Sequence, residues 1–394
     1  MTAERPLFFL VAGEPSGDLL GGRLMAALKE RTGGAVGFAG VGGPRMIEQG
    51  LASLFPMTEL SIMGLAEVAP QIPHILGRIR ETAAEIERLR PAAVITIDAP
   101  DFSFRVARRA RGLGVPLIHY VAPSVWAWRP GRAAKIAGFL DHLLALLPFE
   151  PPYFEKEGLP CTFVGHSAVE GVEGRGDGAR FRRRHDIADN RKIVVMLPGS
   201  RRGEVQRLLP PFIAALRLLK ARGLEFKVAV PVGPHLAERV SRQLAEAGLD
   251  AVVIQGEEDK FDAFAAADAA LSKSGTVTLE LALAKVPTVI AYRINELSHA
   301  IARPFIRARW AGLPNVILNQ ELMPEFIQSD CTPERLADAL GPLMVEGPAR
   351  QAQLAGMAEV GRRVSRPDMS PSQAAAEMVL KVARDRAAAR SGPA

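Results

Sequence analysis

The sequence predicts an α/β protein made of two doubly wound, Rossmann-like domains that face a cleft. Short, fully apolar runs alternate along the chain with longer amphipathic stretches, and this alternation occurs in two successive sets. Fully apolar strands that alternate with helices are typical of a parallel sheet buried on both faces. The length of 394 residues also suits two domains of ordinary size.

The apolar runs of each set predict the strands of one sheet. In the first set they are Phe8–Ala12, Val36–Gly40, Ala93–Ile97, Leu117–Val121, His142–Leu147 and Thr162–Val164. In the second set they are Ile193–Leu197, Phe226–Val230, Ala251–Ile254, Ala269–Leu271 and Thr288–Ala291. The amphipathic stretches between them predict helices, which include Leu19–Arg31, Ile79–Arg90, Phe104–Gly112 and Glu204–Arg222.

These two sets place residues 1–170 in a first domain and residues 171–364 in a second. The stretch Ser167–Lys192, rich in Gly, Arg and Asp, is the expected linker between them. Residues 365–394 carry one more helical pattern, Ser372–Ala389, which could pack back on the first domain. Because parallel sheets bind ligands at the carboxyl ends of their strands, we expect the active site there.

Composition narrows the class of protein. With 48% hydrophobic and 23% charged residues the chain is globular, and its net charge of +6 permits an anionic partner. The basic cluster Arg180–Arg184 is expected to be solvated, and the absence of nucleic-acid-binding motifs argues against a nucleic-acid partner. Cys161 and Cys331 lack metal spacing, so a reducing cytoplasm fits. No run approaches the roughly 18 apolar residues of a spanning helix, and the apolar start is interpreted as a core strand rather than a signal peptide.

The segment Leu271–Pro287 predicts a site for a nucleoside diphosphate in the second domain. A strand ends, a Ser-Gly-Thr turn follows, and a helix runs through Thr278–Lys285. The free N–H groups and positive end of such a helix suit a phosphate, and Glu280 could accept hydrogen bonds from ribose hydroxyls. An ordinary strand–turn–helix corner is an equally good interpretation. The turn consists of Ser274, Gly275 and Thr276.

The segment MLPGSRRGE, residues 196–204, has the same form. Gly199 and Ser200 turn the chain after a strand, and Arg201 is expected to point into the cleft. A guanidinium there could hold a diphosphate through two hydrogen bonds, whereas Arg202 is more simply solvated.

Two segments of the first domain place carboxylates at strand ends. In AGEPSGD, Glu14 follows the first strand, and Ser16 or Asp18 could cap the next helix. In IDAPDF, Asp98 ends a central strand, where a low local dielectric suits a general base. Asp101 is a second candidate base, although it is well placed to cap the following helix.

The loop APSVWAWRPGR concentrates aromatic and basic side chains. Trp126 and Trp128 lie near Arg129 and Arg132, a combination that suits a sugar ring or a phosphate. A packed loop that shields the core explains the tryptophans equally well.

An apolar segment at residues 61–80 has two interpretations. Its apolar residues recur every three or four positions and are followed by Arg78 and Arg80, as at a membrane interface. An amphipathic helix packed on the core gives the same spacing. Pro70 and Pro73 argue against one continuous helix. The apolar residues are Ile62, Met63, Leu65, Val68, Ile72, Ile75 and Leu76.

Taken together, these segments resemble the lipid-A-disaccharide synthase family. The motifs AGEPSGD, GVGGPRM, SIMGLAEV, IDAPDF, APSVWAWR, LPFE, FVGHS, LPGSR, SKSGTVTLE and LPN occur in order over Phe8–Leu318. The resemblance implies a GT-B glycosyltransferase with an acceptor-side, membrane-contacting first domain and a UDP-sugar donor domain. UDP-2,3-diacylglucosamine would be the donor, and 2,3-diacylglucosamine 1-phosphate the acceptor. The products would be the β-1,6-linked lipid A disaccharide 1-phosphate and UDP.

The resemblance also implies roles for residues. Inversion at the donor sugar requires one in-line displacement, with Asp98 as the base and Glu14 or Asp101 as alternatives. The chain has no DxD motif, so we expect no metal and no cofactor, and Ser200, Arg201 and the helix after Ser274 would stabilise the leaving UDP. Further substrate contacts would come from Glu14, Ser16, Asp18, Glu280 and Asn315.

The resemblance further implies peripheral attachment to the cytoplasmic face of the inner membrane through Ile62–Leu76, and it leaves a homo-oligomer open. Two other classes share the nucleotide-site features. One is a UDP-sugar epimerase of the same fold, and the other is a nucleotide-sugar sensor without turnover.

Overall fold

A computed structural model of the chain describes residues 5–60, 72–128, 131–172, 174–295 and 308–391. These residues form two compact units. The first contains the chain up to Ser167 together with the residues from Ser365 onward, and the second runs from Ala168 to Val364.

The first unit is built on a seven-stranded sheet with the strand order β3-β2-β1-β4-β5-β6-β7, and all paired strands are parallel. Phe8 to Ala12 are fully buried because helices cover both faces of the sheet. The strands are β1 (Leu7–Ala12), β2 (Gly37–Val41), β3 (Ala52–Ser53), β4 (Ala93–Ile97), β5 (Leu117–Tyr120), β6 (His142–Ala145) and β7 (Cys161–Phe163).

The faces of this sheet alternate along each strand. In β1, Phe8 and Leu10 belong to one buried cluster, and Phe9 and Val11 belong to the other. The helices between the strands supply the apolar side chains that cover these faces. They are α1 (Pro15–Arg31), α2 (Pro44–Glu48), α3 (Ile72–Leu89), α4 (Pro100–Ala110), α5 (Arg132–Ala137) and α6 (Pro151–Glu155).

The second unit repeats the pattern with six parallel strands in the order β10-β9-β8-β11-β12-β13. The strands are β8 (Lys192–Leu197), β9 (Phe226–Pro231), β10 (Ala251–Ile254), β11 (Ala269–Lys273), β12 (Thr288–Tyr292) and β13 (Glu325–Ile327). The helices are α7 (Ala168–Val172), α8 (Gly178–Arg184), α9 (Arg202–Ala221), α10 (Pro234–Glu246), α11 (Glu257–Ala266), α12 (Val277–Leu283), α13 (Leu313–Leu318), α14 (Pro333–Leu340) and α15 (Pro348–Val364).

Both sheets reverse their strand order at a corresponding point. In the first unit the reversal lies between β1 and β4, and in the second it lies between β8 and β11. Ligands of doubly wound sheets bind beyond the carboxyl ends of the strands at such a reversal. The predicted fold class of two doubly wound, Rossmann-like sheets is confirmed.

The C-terminal helix α16 (Pro371–Ser391) packs on the first unit. Ala375, Ala376 and Val379 are fully buried in the same cluster as the apolar face of α1. Arg31 and Glu377 join the two helices by an ion pair of 2.6 Å.

The stretch expected to be the linker, Ser167–Lys192, contains the helices α7 and α8. Arg180 was expected to be solvated with its basic neighbours; its side chain is 39% exposed, but it also forms a specific ion pair. Its guanidinium binds both carboxylate oxygens of the buried Asp262, at 2.6 and 2.8 Å. This hydrogen-bonded pair fastens α8 to α11 and lowers the pKa of Asp262 below its usual range.

Candidate functional site

The two reversal strands of the first unit end against the start of α1. A Cβ atom at Gly13 would lie 3.0 Å from the Cβ of Ala99, and one at Gly17 would lie 3.1 Å from the carbonyl oxygen of Ile97. Both separations are tighter than a side chain readily tolerates. The glycines of AGEPSGD therefore allow the first turn of α1 to pack directly on the end of β4.

This packing joins Ser16 to Asp98. The Ser16 hydroxyl donates to Oδ2 of Asp98 at 3.1 Å, across 82 positions of sequence. The backbone N–H of Asp98 donates to Tyr120, and the Ser103 hydroxyl donates to the carbonyl oxygen of Asp98 at 2.8 Å. Ser16 thus holds one oxygen of the carboxylate, while Tyr120 and Ser103 hold the backbone of Asp98 at the carboxyl edge of the sheet.

The backbone at Asp98 is strained. Asp98 and Ala99 have φ angles of 50° and 41°, in the left-handed region that residues with a side chain seldom occupy. Two consecutive residues of this kind persist only when the surrounding contacts hold them, and such strain concentrates at functional sites.

Asp18 has a different role from the one expected. It is only 3% exposed, and its carboxylate accepts the N–H groups of Gly43, Arg45 and Met46 at 2.8 to 3.1 Å. The side chain therefore caps α2 instead of its own helix, since the first N–H groups of a helix need acceptors. The structure gives Asp18 this capping role, and the expected substrate contact of Asp18 stays a prediction.

The other two carboxylates of these segments are exposed. Glu14 is the N-cap residue of α1 and uses its backbone carbonyl to accept the N–H of Asp18 at 2.9 Å. Asp101 lies in the first turn of α4, where no side-chain cap bond forms, so the expected cap is absent from this helix. Both residues are exposed; Asp101 lies three positions after Asp98 in the chain, whereas Glu14 follows β1.

The two tryptophans of the aromatic loop differ in environment. The indole N–H of Trp126 donates to Glu150 at 3.2 Å, and its ring meets Phe149 edge-on at 5.3 Å. Trp128 is 42% exposed. Trp126 therefore follows the packed-loop interpretation, whereas Trp128 presents aromatic surface. Arg129 lies outside the described residues.

Glu150, in the LPFE motif, is a buried carboxyl group that sequence analysis did not single out. Burial raises its pKa to about 7, against the opposing hydrogen bonds from the N–H of Leu147 and the indole of Trp126. It fixes the aromatic loop to the turn that begins at Leu147.

In the second unit a pocket of about 470 Å³ lies at the carboxyl ends of β8 and β11, and we call it the β8–β11 pocket. It brings together the predicted turn residues of both strand ends with side chains from α11. Residues that line it include Ser200, Lys260, Lys273, Ser274, Gly275 and Thr276.

Gly199 and Glu204 shape the β8 side of this pocket. Gly199 has a φ angle of 123°, and a Cβ atom there would lie 2.6 Å from the Cβ of Glu204, so glycine is required. The Glu204 carboxylate accepts the N–H groups of Ser200 and Arg201 at 3.1 and 3.3 Å. It also pairs with the ammonium of Lys273 at 3.0 Å.

These contacts set the charge of Glu204. Burial would raise the pKa of this carboxyl group, but the Lys273 ammonium and the two N–H donors outweigh burial and lower it. The side chain of Arg201 is 68% exposed, and its nearest guanidinium nitrogen is 3.9 Å from Glu204. The N–H groups of its guanidinium therefore remain available to bind an anion.

Glu280, the expected ribose contact, is held by a lysine. Its carboxylate pairs with Lys260 at 2.9 Å, and that ammonium lies 4.4 Å from the ring centre of Phe261. Sequence analysis missed Lys260 and Lys273 as pocket residues. Lys273 stands inside the SKSGT motif and so carried a signal, whereas nothing local distinguishes Lys260 from a solvated lysine.

Asn315 is fully buried and bonded within the protein, and its expected substrate contact stays a prediction. Its amide nitrogen donates to Met323 and Glu325 at 2.7 Å, and its oxygen accepts the N–H groups of Leu322 and Met323. An asparagine side chain has two donor hydrogens and two acceptor positions, and all are used here. The residue therefore holds the chain between α13 and β13.

This buried amide is connected to the pocket. Glu325, which accepts from Asn315, also accepts the N–H groups of Ala311 and Gly312 at 2.7 and 2.8 Å. The carbonyl of Ala311 in turn accepts the Ser274 hydroxyl at 2.7 Å. Asn315 thus positions the loop that orients Ser274.

Part of the apolar segment lies outside the described residues, namely Ile62, Met63, Leu65 and Val68. Of the described members, Ile72 is 47% exposed at the start of α3. Ile75 and Leu76 instead pack, partly buried, against the core of the first unit.

The cations after this segment are engaged within the protein. The Arg78 guanidinium binds Glu59 at 2.8 and 3.0 Å and Glu81 at 2.7 Å, and it lies 4.6 Å from the ring centre of Phe55. Arg80 donates to the carbonyl of Leu76 at 3.3 Å. Arg78 is therefore a poor candidate for a headgroup contact.

Within the parts of the chain that the structure describes, no helix is long and apolar enough to cross a membrane. The same residues contain no group of three or more His, Cys, Asp or Glu side chains placed to hold a metal ion.

The two units define the class of protein: the fold is that of the GT-B glycosyltransferases. MurG of Acinetobacter baumannii superposes with a TM-score of 0.57 at 18% identity, over 95% of this chain and 99% of that one. The UDP-GlcNAc 2-epimerase of Neisseria meningitidis, solved with UDP-GlcNAc, gives 0.58 at 11% identity, over 96% and 100%. At such identities the likeness establishes the fold alone.

Sequence similarity identifies the family. The family described as lipid-A-disaccharide synthetase matches residues 8–378. The lipid-A-disaccharide synthase of Rhodospirillum centenum is 58% identical over 378 residues, which cover 95% of this chain and 94% of that protein. The chain belongs to the lipid-A-disaccharide synthase family. The predicted family and the predicted enzyme class are confirmed, and the epimerase and sensor alternatives are set aside.

Proposed function

We propose that this enzyme carries out its family's reaction by a metal-independent, inverting displacement with Asp98 as the general base. The reaction joins UDP-2,3-diacylglucosamine to 2,3-diacylglucosamine 1-phosphate and releases UDP. The family match over residues 8–378 supports the reaction. The observation that carries the mechanism is the Ser16–Asp98 hydrogen bond at the strand-order reversal of the first unit.

The donor's diphosphate occupies the β8–β11 pocket. Lys260 and Lys273 each bind one carboxylate and retain other ammonium hydrogens for phosphate oxygens. The exposed guanidinium of Arg201 can donate two parallel hydrogen bonds to the same diphosphate. These cations stabilise the negative charge that UDP gains as it leaves, which is where electrostatic stabilisation contributes most. Glu280 holds the ribose.

Asp98 accepts the proton of the acceptor's 6-hydroxyl as that oxygen attacks the anomeric carbon of the donor. The glycosidic bond forms on the face opposite the leaving UDP, so the α-linked donor gives a β product. Ser16 keeps one carboxylate oxygen in place, which leaves the other for the hydroxyl. Asp98 stands at the end of a reversal strand with Ser16 on its carboxylate, whereas Glu14 and Asp101 are exposed at the starts of their helices, so we favour Asp98 over them.

We further propose peripheral attachment to the cytoplasmic face of the inner membrane through residues 62–72. Both substrates carry acyl chains and reside in a bilayer, and the exposed side chain of Ile72 supports an apolar contact there.

The test compares two matched variants, Asp98→Asn and Asp101→Asn, which make the same change three positions apart. Incubation of the wild type with both acylated substrates should give equal amounts of UDP and disaccharide. Asp98→Asn should lower turnover by roughly 10²- to 10⁴-fold while UDP affinity stays within a few-fold. Near-normal turnover in Asp98→Asn, or a loss confined to Asp101→Asn, would remove Asp98 from this role.

A further inference from the structure

A second pocket, of about 520 Å³, lies in the first unit between the early turns of α4 and the start of α5. We call it the α4–α5 pocket. Its lining contains four cationic side chains and one carboxylate, that of Asp101, so it is strongly positive. The cations are Arg105, Arg108, Arg132 and Lys135.

The cations of the α4–α5 pocket differ in their partners from Arg78 and Arg180. Arg78 and Arg180 are each neutralised by carboxylates. Among the described residues, by contrast, no carboxylate forms an ion pair with any of the four cations of this pocket. A group of unpaired positive charges around a concave surface is a binding site for an anion.

Aromatic rings hold two of these guanidiniums in place. Arg108 lies 4.8 Å from the ring centre of Phe139, and Arg132 lies 5.4 Å from that of Phe104. Phe104 is buried and lines the pocket. Contact with a ring uses the face of a guanidinium and leaves its N–H edge for a ligand. The arrangement suits the three oxygens of a phosphate, which arginine binds through paired hydrogen bonds.

The α4–α5 pocket adjoins the proposed base. Pro100 lines the pocket and stands two positions after Asp98. Two consecutive peptide units span at most about 8 Å between these Cα atoms. In an aminosugar 1-phosphate, the carbon that carries the phosphate and the carbon that carries the 6-hydroxymethyl group both flank the ring oxygen. A sugar with its 6-hydroxyl at Asp98 therefore holds its anomeric phosphate within reach of the pocket.

We propose that the α4–α5 pocket binds the anomeric phosphomonoester of the acceptor sugar. This inference rests on the proposed function and names the group by which the acceptor is recognised. It also gives a basis for selectivity. The donor has a free 6-hydroxyl of its own, but its anomeric phosphate carries a nucleotide and has fewer charged oxygens. A pocket built for a doubly charged phosphomonoester accepts the 1-phosphate sugar and disfavours the nucleotide sugar.

The test uses the double variant Arg105→Ala with Arg108→Ala, and Arg109→Ala as a matched control. Arg109 is an exposed arginine of the same helix that does not line the pocket. The double variant should raise the KM for the phosphorylated acceptor by tenfold or more, because each charge-assisted hydrogen bond contributes roughly a tenfold effect. The KM for the donor and the melting temperature should match those of the control. Lys135→Ala should have a smaller effect in the same direction.

An acceptor that lacks the phosphate gives the decisive comparison. With that acceptor, wild type and double variant should have the same KM. The proposal would be overturned if the wild type and the double variant had equal KM values for the phosphorylated acceptor. It would also be overturned if the double variant raised the KM equally for both acceptors. The proposal would also be overturned if the double variant lost binding to phosphatidylglycerol vesicles while its KM for the acceptor stayed unchanged. That result would show that the pocket binds lipid headgroups.

Direct binding separates this proposal from the proposed function. Titration with glucosamine 1-phosphate, followed by NMR, should show binding to the wild type and to Arg109→Ala but not to the double variant. Glucosamine alone should not bind at the same concentration. If the wild type makes no disaccharide but binds glucosamine 1-phosphate in this pattern, the pocket stands and the reaction assignment fails. If disaccharide forms but this binding is absent, the pocket assignment fails.

Discussion

The buried carboxyl group of Glu150 makes the stability of the protein depend on pH in a defined direction. Its side chain is only 3% exposed, and burial raises its pKa from an ordinary 4.5 to about 7. A group whose pKa is higher in the folded state binds its proton more tightly there than in the unfolded state. The folded state is therefore favoured most below pH 4.5, and this contribution is lost as pH rises through 7.

The size of the effect follows from the shift. One pKa unit corresponds to about 1.4 kcal/mol, so a rise of this extent is worth about 3 kcal/mol between acid and alkaline conditions. Glu150→Gln removes the ionisation and keeps one of the two acceptor oxygens, either the one that accepts the N–H of Leu147 or the one that accepts the indole N–H of Trp126. The hydrogen bond that is lost lowers stability by the same amount at every pH and does not affect the comparison between pH values. The variant should therefore gain stability relative to the wild type as pH rises.

Urea unfolding of both proteins at pH 5 and pH 8 measures this difference. The free energy of unfolding of Glu150→Gln, relative to the wild type, should be about 2 to 3 kcal/mol more favourable at pH 8 than at pH 5. The stability contribution of other buried groups also changes in part of this range: burial lowers the pKa of His166 from an ordinary 6.5 to about 4, so its contribution changes between these two pH values. Their contributions cancel because they are common to both proteins. A relative stability that stays constant between the two pH values would refute the argument.

Three further changes test the proposed donor site and membrane contact. Arg201→Ala should weaken UDP binding by roughly tenfold. The wild type should keep its activity in EDTA, and a loss of activity that magnesium restores would contradict the metal-free mechanism. Asn315→Ala should lower the free energy of unfolding by about 1–3 kcal/mol, because it leaves buried backbone groups without hydrogen-bond partners. It should also weaken UDP binding, measured by calorimetry, because Asn315 positions the loop that orients Ser274. Unchanged UDP affinity would show that Asn315 does not influence the UDP site. Leu65→Ser with Ile72→Ser should release the protein from vesicles without lowering its melting temperature, whereas unfolding would assign the segment to the core.

The regular part of the fold could be predicted because hydrophobic periodicity is a local signal. β4 and β10 begin and end at the predicted residues, and most other predicted strands differ by one or two positions at an end. The two strands that were missed, β3 and β13, have two and three residues. Runs this short carry too little pattern to stand out from a loop.

The polar residues of the site were harder to assign, because their partners are remote in sequence. Asp18 follows the first strand as a helix cap would, yet the N–H groups that it accepts lie 25 to 28 positions away. The full set of hydrogen bonds at Asn315 depends on how β13 pairs at the sheet edge. A motif identifies which residues matter, but the partners that decide between a structural and a ligand-binding role appear only in the folded chain.

The charge pairing within the β8–β11 pocket has a consequence for the effect of salt on the two substrates. Lys260 and Lys273 are each matched by a carboxylate, Glu280 and Glu204, so this pocket exerts little net long-range attraction. The α4–α5 pocket keeps its cations unmatched. Dissolved ions screen such an open field over about 10 Å at 0.1 M salt. Rising ionic strength should therefore raise the KM of the phosphorylated acceptor steeply and that of the donor only slightly. The salt dependence of the enzyme's activity should therefore come mainly from binding of the acceptor.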